Sequence, residues 1–219
     1  MATKNATSEF RILSLSGGGY LGLYTAVVLA DLEERVREPL GRRFGLIAGT
    51  SVGGLLGLAL AYEVPMAQIV KLFVEKGEDI FSARKLPSGA VTRLLDLTRS
   101  VLGPKYTGDT LRQELMRHLG ERTLGDALHA VVIPAVDVSR CATKVFKTPH
   151  ADTSLGDEDV RAVDVAMATS AAPAYFPSVQ IGHTLYADGG LFAMAPEQVA
   201  LHEAELFMGA KPSRVRMLS

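Results

Sequence analysis

The sequence contains one cysteine, Cys141, among 219 residues, so no disulfide can form within the chain. A lone thiol fits a reducing compartment, or an exported bacterial protein that needs no bridges. An excess of one charge is also missing, because 23 basic residues nearly balance 24 acidic ones. This balance excludes general electrostatic binding of a nucleic-acid polymer. With 47% hydrophobic and 21% charged residues, the chain is too apolar for disorder, and we predict one domain over residues 1–219.

Segments that would direct the chain into or across a membrane are missing as well. Residues 1–10 are polar and lack the apolar stretch of a secretory signal, so we predict a cytoplasmic protein. Residues 44–62 carry no charge and are long enough to span a bilayer. Five glycines interrupt this run, and neither basic flanks nor aromatic belts mark its ends. A buried strand, a tight turn and a buried helix explain the same run better.

Apolar runs that alternate with helical patterns define the predicted fold. Strands are predicted at residues 10–15, 44–48, 130–138, 143–147, 184–187 and 213–219. Helices are predicted at residues 21–37, 54–62, 65–75, 91–102, 110–119, 159–169 and 196–207. This alternation predicts a three-layer α/β/α fold around a mostly parallel central sheet. The amphipathic pattern of residues 91–102 fits either a lid or membrane-docking helix, or a helix that packs on the core.

Gly49-Thr50-Ser51-Val52-Gly53 matches the G-x-S-x-G pattern of a nucleophile elbow. An apolar strand precedes it and a helix of small residues follows it, which is the context that such a turn requires. The glycines leave room where side chains would collide, and the turn lifts the serine hydroxyl to a helix N-terminus. Ser51 is therefore the candidate nucleophile, although the five letters alone also fit an ordinary glycine-rich turn.

Three consecutive glycines, Gly17, Gly18 and Gly19, follow the first predicted strand and open the first helix. Their backbone N–H groups are exposed without side chains in the way, as an oxyanion hole requires. A phosphate-binding loop is the alternative, but the lysine of that motif is absent here. A dinucleotide fingerprint also fits poorly, because no acidic residue closes a second strand about 20 residues later.

Asp188 begins an Asp-Gly-Gly sequence after a short apolar strand. The sequence fits a carboxylate held at a strand end in a tight loop, although for a lone Asp-Gly-Gly a structural turn is favoured. The order Ser-Asp-His nominates His202 as a third member, yet His202 falls in the middle of a predicted helix. A carboxylate can also serve as the base directly where desolvation raises its pKa.

Metal sites are not predicted, because the five histidines are scattered along the chain. The acidic residues that come closest to a cluster are interpreted as a solvated polar turn before a helix; they are Asp152, Asp157, Glu158 and Asp159. We therefore expect neither a metal nor another cofactor, and full activity in excess EDTA.

With GGGxxG, GTSVGG and DGG in this order, and ATSAAPAYFP before DGG, the sequence resembles patatin-like phospholipases from about Arg11 to Ser219. The resemblance implies a dyad in which Ser51 is the nucleophile and Asp188 the base. It also implies an oxyanion hole formed by the N–H groups of Gly17, Gly18 and Gly19. Such enzymes hydrolyse acyl esters of membrane phospholipids without calcium, so peripheral association with the membrane is expected.

The sequence departs from the family at two positions, since Leu21 replaces a common arginine and Met194-Ala195-Pro196 stands where asparagines are usual. Relatives usually continue beyond the position of Ser219, so a fragment and a minimal member both fit. The GGGY start is also similar to bacterial anti-phage phospholipases, which implies a cyclic-nucleotide activator. Alternatives to the dyad are a Ser-Asp-His esterase with His202 and a non-catalytic lipid- or nucleotide-binding module. The oligomeric state, including a homo-oligomer, stays open.

Overall fold

A computed structural model describes residues 9–81, 108–151 and 156–219 of the chain. Its strands are β1 (Phe10–Leu15), β2 (Leu46–Gly49), β3 (Val131–Asp137), β4 (Ala142–Lys147), β5 (Val179–Ile181), β6 (Thr184–Asp188) and β7 (Val215–Leu218). Its α-helices are α1 (Gly22–Val36), α2 (Val52–Ala61), α3 (Met66–Phe81), α4 (Asp109–Leu119), α5 (Ala162–Thr169), α6 (Gly190–Ala193) and α7 (Glu197–Leu206). Short 3-10 turns connect several of these elements.

The seven described strands form one sheet in the order β5-β6-β3-β2-β1-β7, and β4 pairs with the other edge of β3. Strands β7, β1, β2 and β3 are parallel, whereas β4 and β6 run antiparallel to β3. Helices cover both faces of the sheet, so the predicted three-layer fold with a mostly parallel sheet is confirmed. The sequence did not predict the short strand β5, the short helix α6 or the direction of β6.

Side chains of the parallel strands alternate between two cores, because neighbouring residues of a strand point to opposite faces. Leu13 of β1 and Ile47 of β2 lie in the larger core, which α1 to α5 cover. Ile12 and Leu46 lie in the smaller core, which α7 covers through Ala200 and Ala204. The strands are apolar on both faces, as expected for a parallel sheet between two helical layers.

One edge of β3 brings Ser51 and Asp188 together, because β2 leads to Ser51 and β6 ends at Asp188. Strand β2 pairs with β3 at Val131 and Val132, and β6 pairs with it from Ala135 to Asp137. Because β4 occupies the opposite edge over Val132 to Asp137, β2 and β6 meet end to end on the same edge. Pro134 lies at the junction, where a strand residue without an N–H group loses no ladder hydrogen bond to either strand.

Most predicted elements agree with the structure, and the corrections concern two helix boundaries and one polar turn. Residues 44–62 form β2, the turn and α2, and no helix of the described residues is long and apolar enough to cross a membrane. Helix α3 continues to Phe81, and α5 begins at Ala162 rather than near Asp159. The interpretation of a fully solvated acidic turn is wrong for Asp157, which is buried and binds Lys144. Residues 91–102 lie outside the described residues.

Candidate active site

Ser51 occupies a sharp turn between the end of β2 and the start of α2. Its backbone has φ 54° and ψ −125°, a conformation that is strained for any residue with a side chain. Gly49 and Gly53 allow this turn, because a Cβ on Gly53 would collide with the backbone of Leu15 and a Cβ on Gly49 with the backbone of Gly53. The turn therefore has the geometry of a nucleophile elbow.

Asp188 lies opposite Ser51, at the end of β6. The Ser51 hydroxyl donates a hydrogen bond to Oδ2 of Asp188 at 2.8 Å. The N–H group of Gly190 donates to Oδ1 at 2.6 Å, which fixes the plane of the carboxylate. Asp188 is only 5% exposed, and this burial raises the pKa of its carboxyl group against the opposing effect of the two hydrogen bonds. The result is an oriented carboxylate with increased basicity.

Thr169, at the end of α5, positions the elbow through two hydrogen bonds. Its Oγ1 accepts the N–H of Ser51 at 3.0 Å and donates to the carbonyl of Pro134 at 2.6 Å. A fully buried threonine thus ties the nucleophile to the junction of β2 and β6 on β3. Sequence reasoning assigned no role to Thr169, although it belongs to the ATSAAPAYFP stretch that carried the family resemblance.

The three glycines of the first loop have different surroundings. The N–H of Gly17 donates to the carbonyl of Met194 at 2.8 Å, so the structure gives it a partner other than a substrate. Gly18 and Gly19 line the cleft beside Ser51, and no residue in the described ranges accepts their N–H groups. The oxyanion role predicted for these glycines stays a prediction, and it fits Gly18 and Gly19 better than Gly17. Met194 holds the first loop through its main-chain carbonyl.

The five histidines lie away from the nucleophile. None of them is among the residues that line the cleft around Ser51. His202 is exposed on α7, and its ring packs against Phe207 with the ring centroids 6.0 Å apart. His150, in the loop after β4, binds Glu203 of α7 at 3.1 Å. The side-chain partner of the Ser51 hydroxyl is therefore a carboxylate and not an imidazole.

The cleft above Ser51 and Asp188 has a volume of about 520 Å³ and is largely apolar. Beyond these two residues and the glycines, its larger lining residues are Tyr20, Val52, Leu55, Leu111, Pro173, Tyr175, Phe176, Leu191 and Met194. Leu21 is 77% exposed and adds no positive charge. Within the described ranges, no three His, Cys, Asp or Glu side chains are grouped as metal ligands. The cleft suits an apolar substrate that carries an ester.

Comparison with known proteins gives one family. The model of the patatin-like phospholipase family matches residues 13–201. A cGAMP-activated phospholipase of Pseudomonas aeruginosa is 43% identical over 211 residues, which cover 96% of this chain and 61% of the relative. A protein of the same name from Vibrio cholerae is 37% identical over 229 residues, with coverage of 97% and 64%. The chain thus spans less than two thirds of the length of these relatives.

More distant proteins agree with this result. Patatin-like protein 1 of Arabidopsis thaliana is 36% identical over 181 residues, which cover 76% of this chain and 42% of the relative. Among solved structures, VipD from Legionella pneumophila matches with a TM-score of 0.55 and 14% identity. That match covers 96% of this chain and 49% of VipD, and it supports the fold alone.

Proposed function

The chain belongs to the patatin-like phospholipase family, and from this premise we propose that it hydrolyses fatty-acyl esters of phospholipids with a Ser51–Asp188 dyad. The observation that carries the proposal is the 2.8 Å hydrogen bond from the Ser51 hydroxyl to a buried carboxylate at a nucleophile elbow. Motif order and family membership support the same two residues.

In the first half of the proposed reaction, Asp188 accepts the proton of Ser51 while Oγ attacks the ester carbonyl. The carbonyl oxygen becomes an oxyanion, and the N–H groups of Gly18 and Gly19 are the proposed donors to it. The intermediate then collapses. The bond between the carbonyl carbon and the leaving oxygen breaks, and Asp188 returns the proton to that oxygen. The lysophospholipid departs, and the fatty-acyl group remains bound to Ser51 as an ester.

In the second half, a water molecule gives its proton to Asp188 and attacks the acyl-enzyme. The same two glycines receive the second oxyanion. Collapse breaks the bond to Oγ of Ser51, which takes the proton back from Asp188, and the free fatty acid leaves. A carboxylate is a weaker base than imidazole, so the raised pKa of Asp188 supports its role in both steps.

Membrane phospholipids are the proposed substrates, and peripheral contact with the bilayer is the proposed way to reach them. Large apolar side chains are exposed around the cleft, among them Tyr20, Tyr175, Leu191 and Met194. Such a surface is unusual beside a site for a polar substrate, and it can face acyl chains and headgroups. These exposed residues support a lipid substrate more directly than the dyad does.

Activation by a cyclic dinucleotide is proposed from the relatives alone. Two bacterial relatives that cover nearly all of this chain are named cGAMP-activated phospholipases. Their names favour a switch in which the nucleotide turns lipid hydrolysis on. The role proposed for this switch is anti-phage defence, as the resemblance of the GGGY start implies. Assays of this chain should therefore include cGAMP as one condition.

The proposal is tested with phosphatidylcholine vesicles, with and without cGAMP, by resolving the products into free fatty acid and lysolipid. We expect the wild type to release both, and Ser51→Ala and Asp188→Asn to release neither above background. His202→Ala is the control and should keep wild-type activity. Equal loss in His202→Ala would favour the Ser-Asp-His esterase. Vesicle binding without turnover in the wild type would favour a binding module.

A further inference from the structure

A second cavity lies behind the cleft, between α2, α3 and α4. Its volume is about 30 Å³, and its lining is almost entirely apolar; the residues from α3 are Ile69, Leu72, Phe73 and Ile80. Leu55 of α2 and Leu111 of α4 line both this inner cavity and the cleft around Ser51. Two leucine side chains therefore stand between the candidate nucleophile and the inner cavity.

An aromatic pair continues the same partition. Tyr20 lines the cleft and Phe73 lines the inner cavity, and their rings meet edge to face with centroids 6.5 Å apart. Gly77 of α3 leaves the space for this arrangement, because a Cβ there would collide with the Tyr20 ring. The partition consists of side chains, which can move apart more easily than backbone.

Two polar residues, Glu114 and His118, also border the inner cavity. Arg117 binds the Glu114 carboxylate at 2.8 Å, so the charge of Glu114 is already compensated within α4. The remaining surface offers no set of hydrogen-bonding groups for a headgroup. A small apolar cavity of this kind suits hydrocarbon rather than water.

We propose that the inner cavity receives the distal end of the acyl chain whose ester lies at Ser51, and that Leu55 and Leu111 limit the chain length. Leu55 follows Ser51 by one helical turn, as its N–H bond to the Ser51 carbonyl at 3.1 Å shows. A chain that extends inward from Ser51 along the apolar wall therefore meets Leu55 before it reaches the cavity. This inference rests on the proposed lipid hydrolysis and adds a site for the chain end.

Ala59 provides the sharpest test, because it lines the inner cavity and not the cleft. Ala59→Val places two further carbons in the cavity, and each methylene that this displaces from burial should weaken binding roughly fourfold. We expect kcat/KM for the longest fatty-acyl esters to fall about four- to fifteenfold in Ala59→Val. Octanoyl esters should be hydrolysed as before. Ala67→Val, the same change on the exposed side of α3, is the control and should keep the wild-type profile.

Binding to an inactive protein separates this inference from the proposed function. In the Ser51→Ala background, calorimetry with N-methyl amides of octanoic, dodecanoic and hexadecanoic acid reports chain binding without turnover. We expect affinity to rise with chain length, and Ala59→Val to remove the gain for hexadecanoyl only. Leu111→Val, a milder change, should extend the chain length that the protein accepts.

The outcomes are distinct. Chain-length-dependent binding that Ala59→Val shortens, without hydrolysis by the wild type, would support the site and contradict the proposed function. Hydrolysis with a chain-length profile that neither Ala59→Val nor Leu111→Val changes would overturn the site and leave the function standing. Circular dichroism confirms that each variant is folded before it is compared.

Discussion

Replacing Ser51 by glycine should yield a more stable protein than replacing it by alanine. Ser51 has φ 54° and ψ −125°, a backbone conformation open to glycine and strained for residues with a Cβ. Both variants lose the hydroxyl and its hydrogen bond to Asp188, so these losses cancel in the comparison. The difference in the free energy of unfolding then reports the backbone strain of the elbow.

The expected magnitude follows from two opposing effects. Strain of this kind costs about 1–3 kcal/mol, and glycine relieves it. Glycine also loses more conformational entropy on folding than alanine, by roughly 0.5–1 kcal/mol. Ser51→Gly should therefore exceed Ser51→Ala in stability by about 1 kcal/mol.

Equilibrium denaturation in urea, followed by circular dichroism, measures both variants. Ala30→Gly is the matched control, since Ala30 lies in the middle of α1 in ordinary helical conformation. The same exchange of alanine for glycine should destabilise the protein there by about 1 kcal/mol. We expect the exchange of alanine for glycine to raise the free energy of unfolding at position 51 and to lower it at position 30. If Ser51→Gly were less stable than Ser51→Ala by as much as the control, the elbow would carry no strain and the reasoning would be refuted.

Four further predictions follow from the same site. Asp188→Asn should raise the free energy of unfolding at neutral pH, because it removes a buried carboxylate whose pKa is raised in the folded state. This advantage should vanish as pH falls through the folded-state pKa toward the unfolded value, as denaturation at a series of pH values will measure. On the acid side, kcat/KM should fall with an apparent pKa above the ordinary aspartate value of about 3.9, because activity needs ionised Asp188. An apparent pKa at or below that value would argue against Asp188 as the base. Gly53→Ala should lower kcat/KM by at least ~100-fold and the free energy of unfolding by about 3 kcal/mol, because its Cβ would collide with backbone. Gly57→Ala on the same helix is the control and should stay near wild type, because a Cβ at Gly57 meets only side chains. Activity should persist in excess EDTA, and inhibition that calcium reverses would contradict this.

The local parts of the site could be predicted from the sequence because their geometry depends on short motifs. The elbow needs Gly49 and Gly53 beside Ser51, and these residues are adjacent in the chain. The role of Asp188 as the base follows from the family resemblance, since no local sequence rule pairs it with Ser51. Three features depend on contacts between distant segments and could not be derived from spacing.

The first is the direction of β6, which pairs antiparallel with the part of the β3 edge that β2 leaves free. The second is the N–H of Gly17, whose partner is a main-chain carbonyl far along the sequence at Met194. The third is Thr169, whose hydroxyl contacts Ser51 only because α5 packs over the junction at Pro134. Each depends on tertiary packing, which residue patterns within one segment do not encode.

Covalent labelling tests most directly whether Ser51 is the nucleophile and whether Asp188 activates it. A fluorophosphonate that carries an alkyl chain reacts covalently with an activated serine, and tandem mass spectrometry of the digested protein locates the adduct. We expect one adduct, on Ser51. Ser51→Ala should abolish it, Asp188→Asn should slow its formation by orders of magnitude, and His202→Ala should leave it unchanged. An adduct on another residue, or labelling of Asp188→Asn at the wild-type rate, would contradict these two roles.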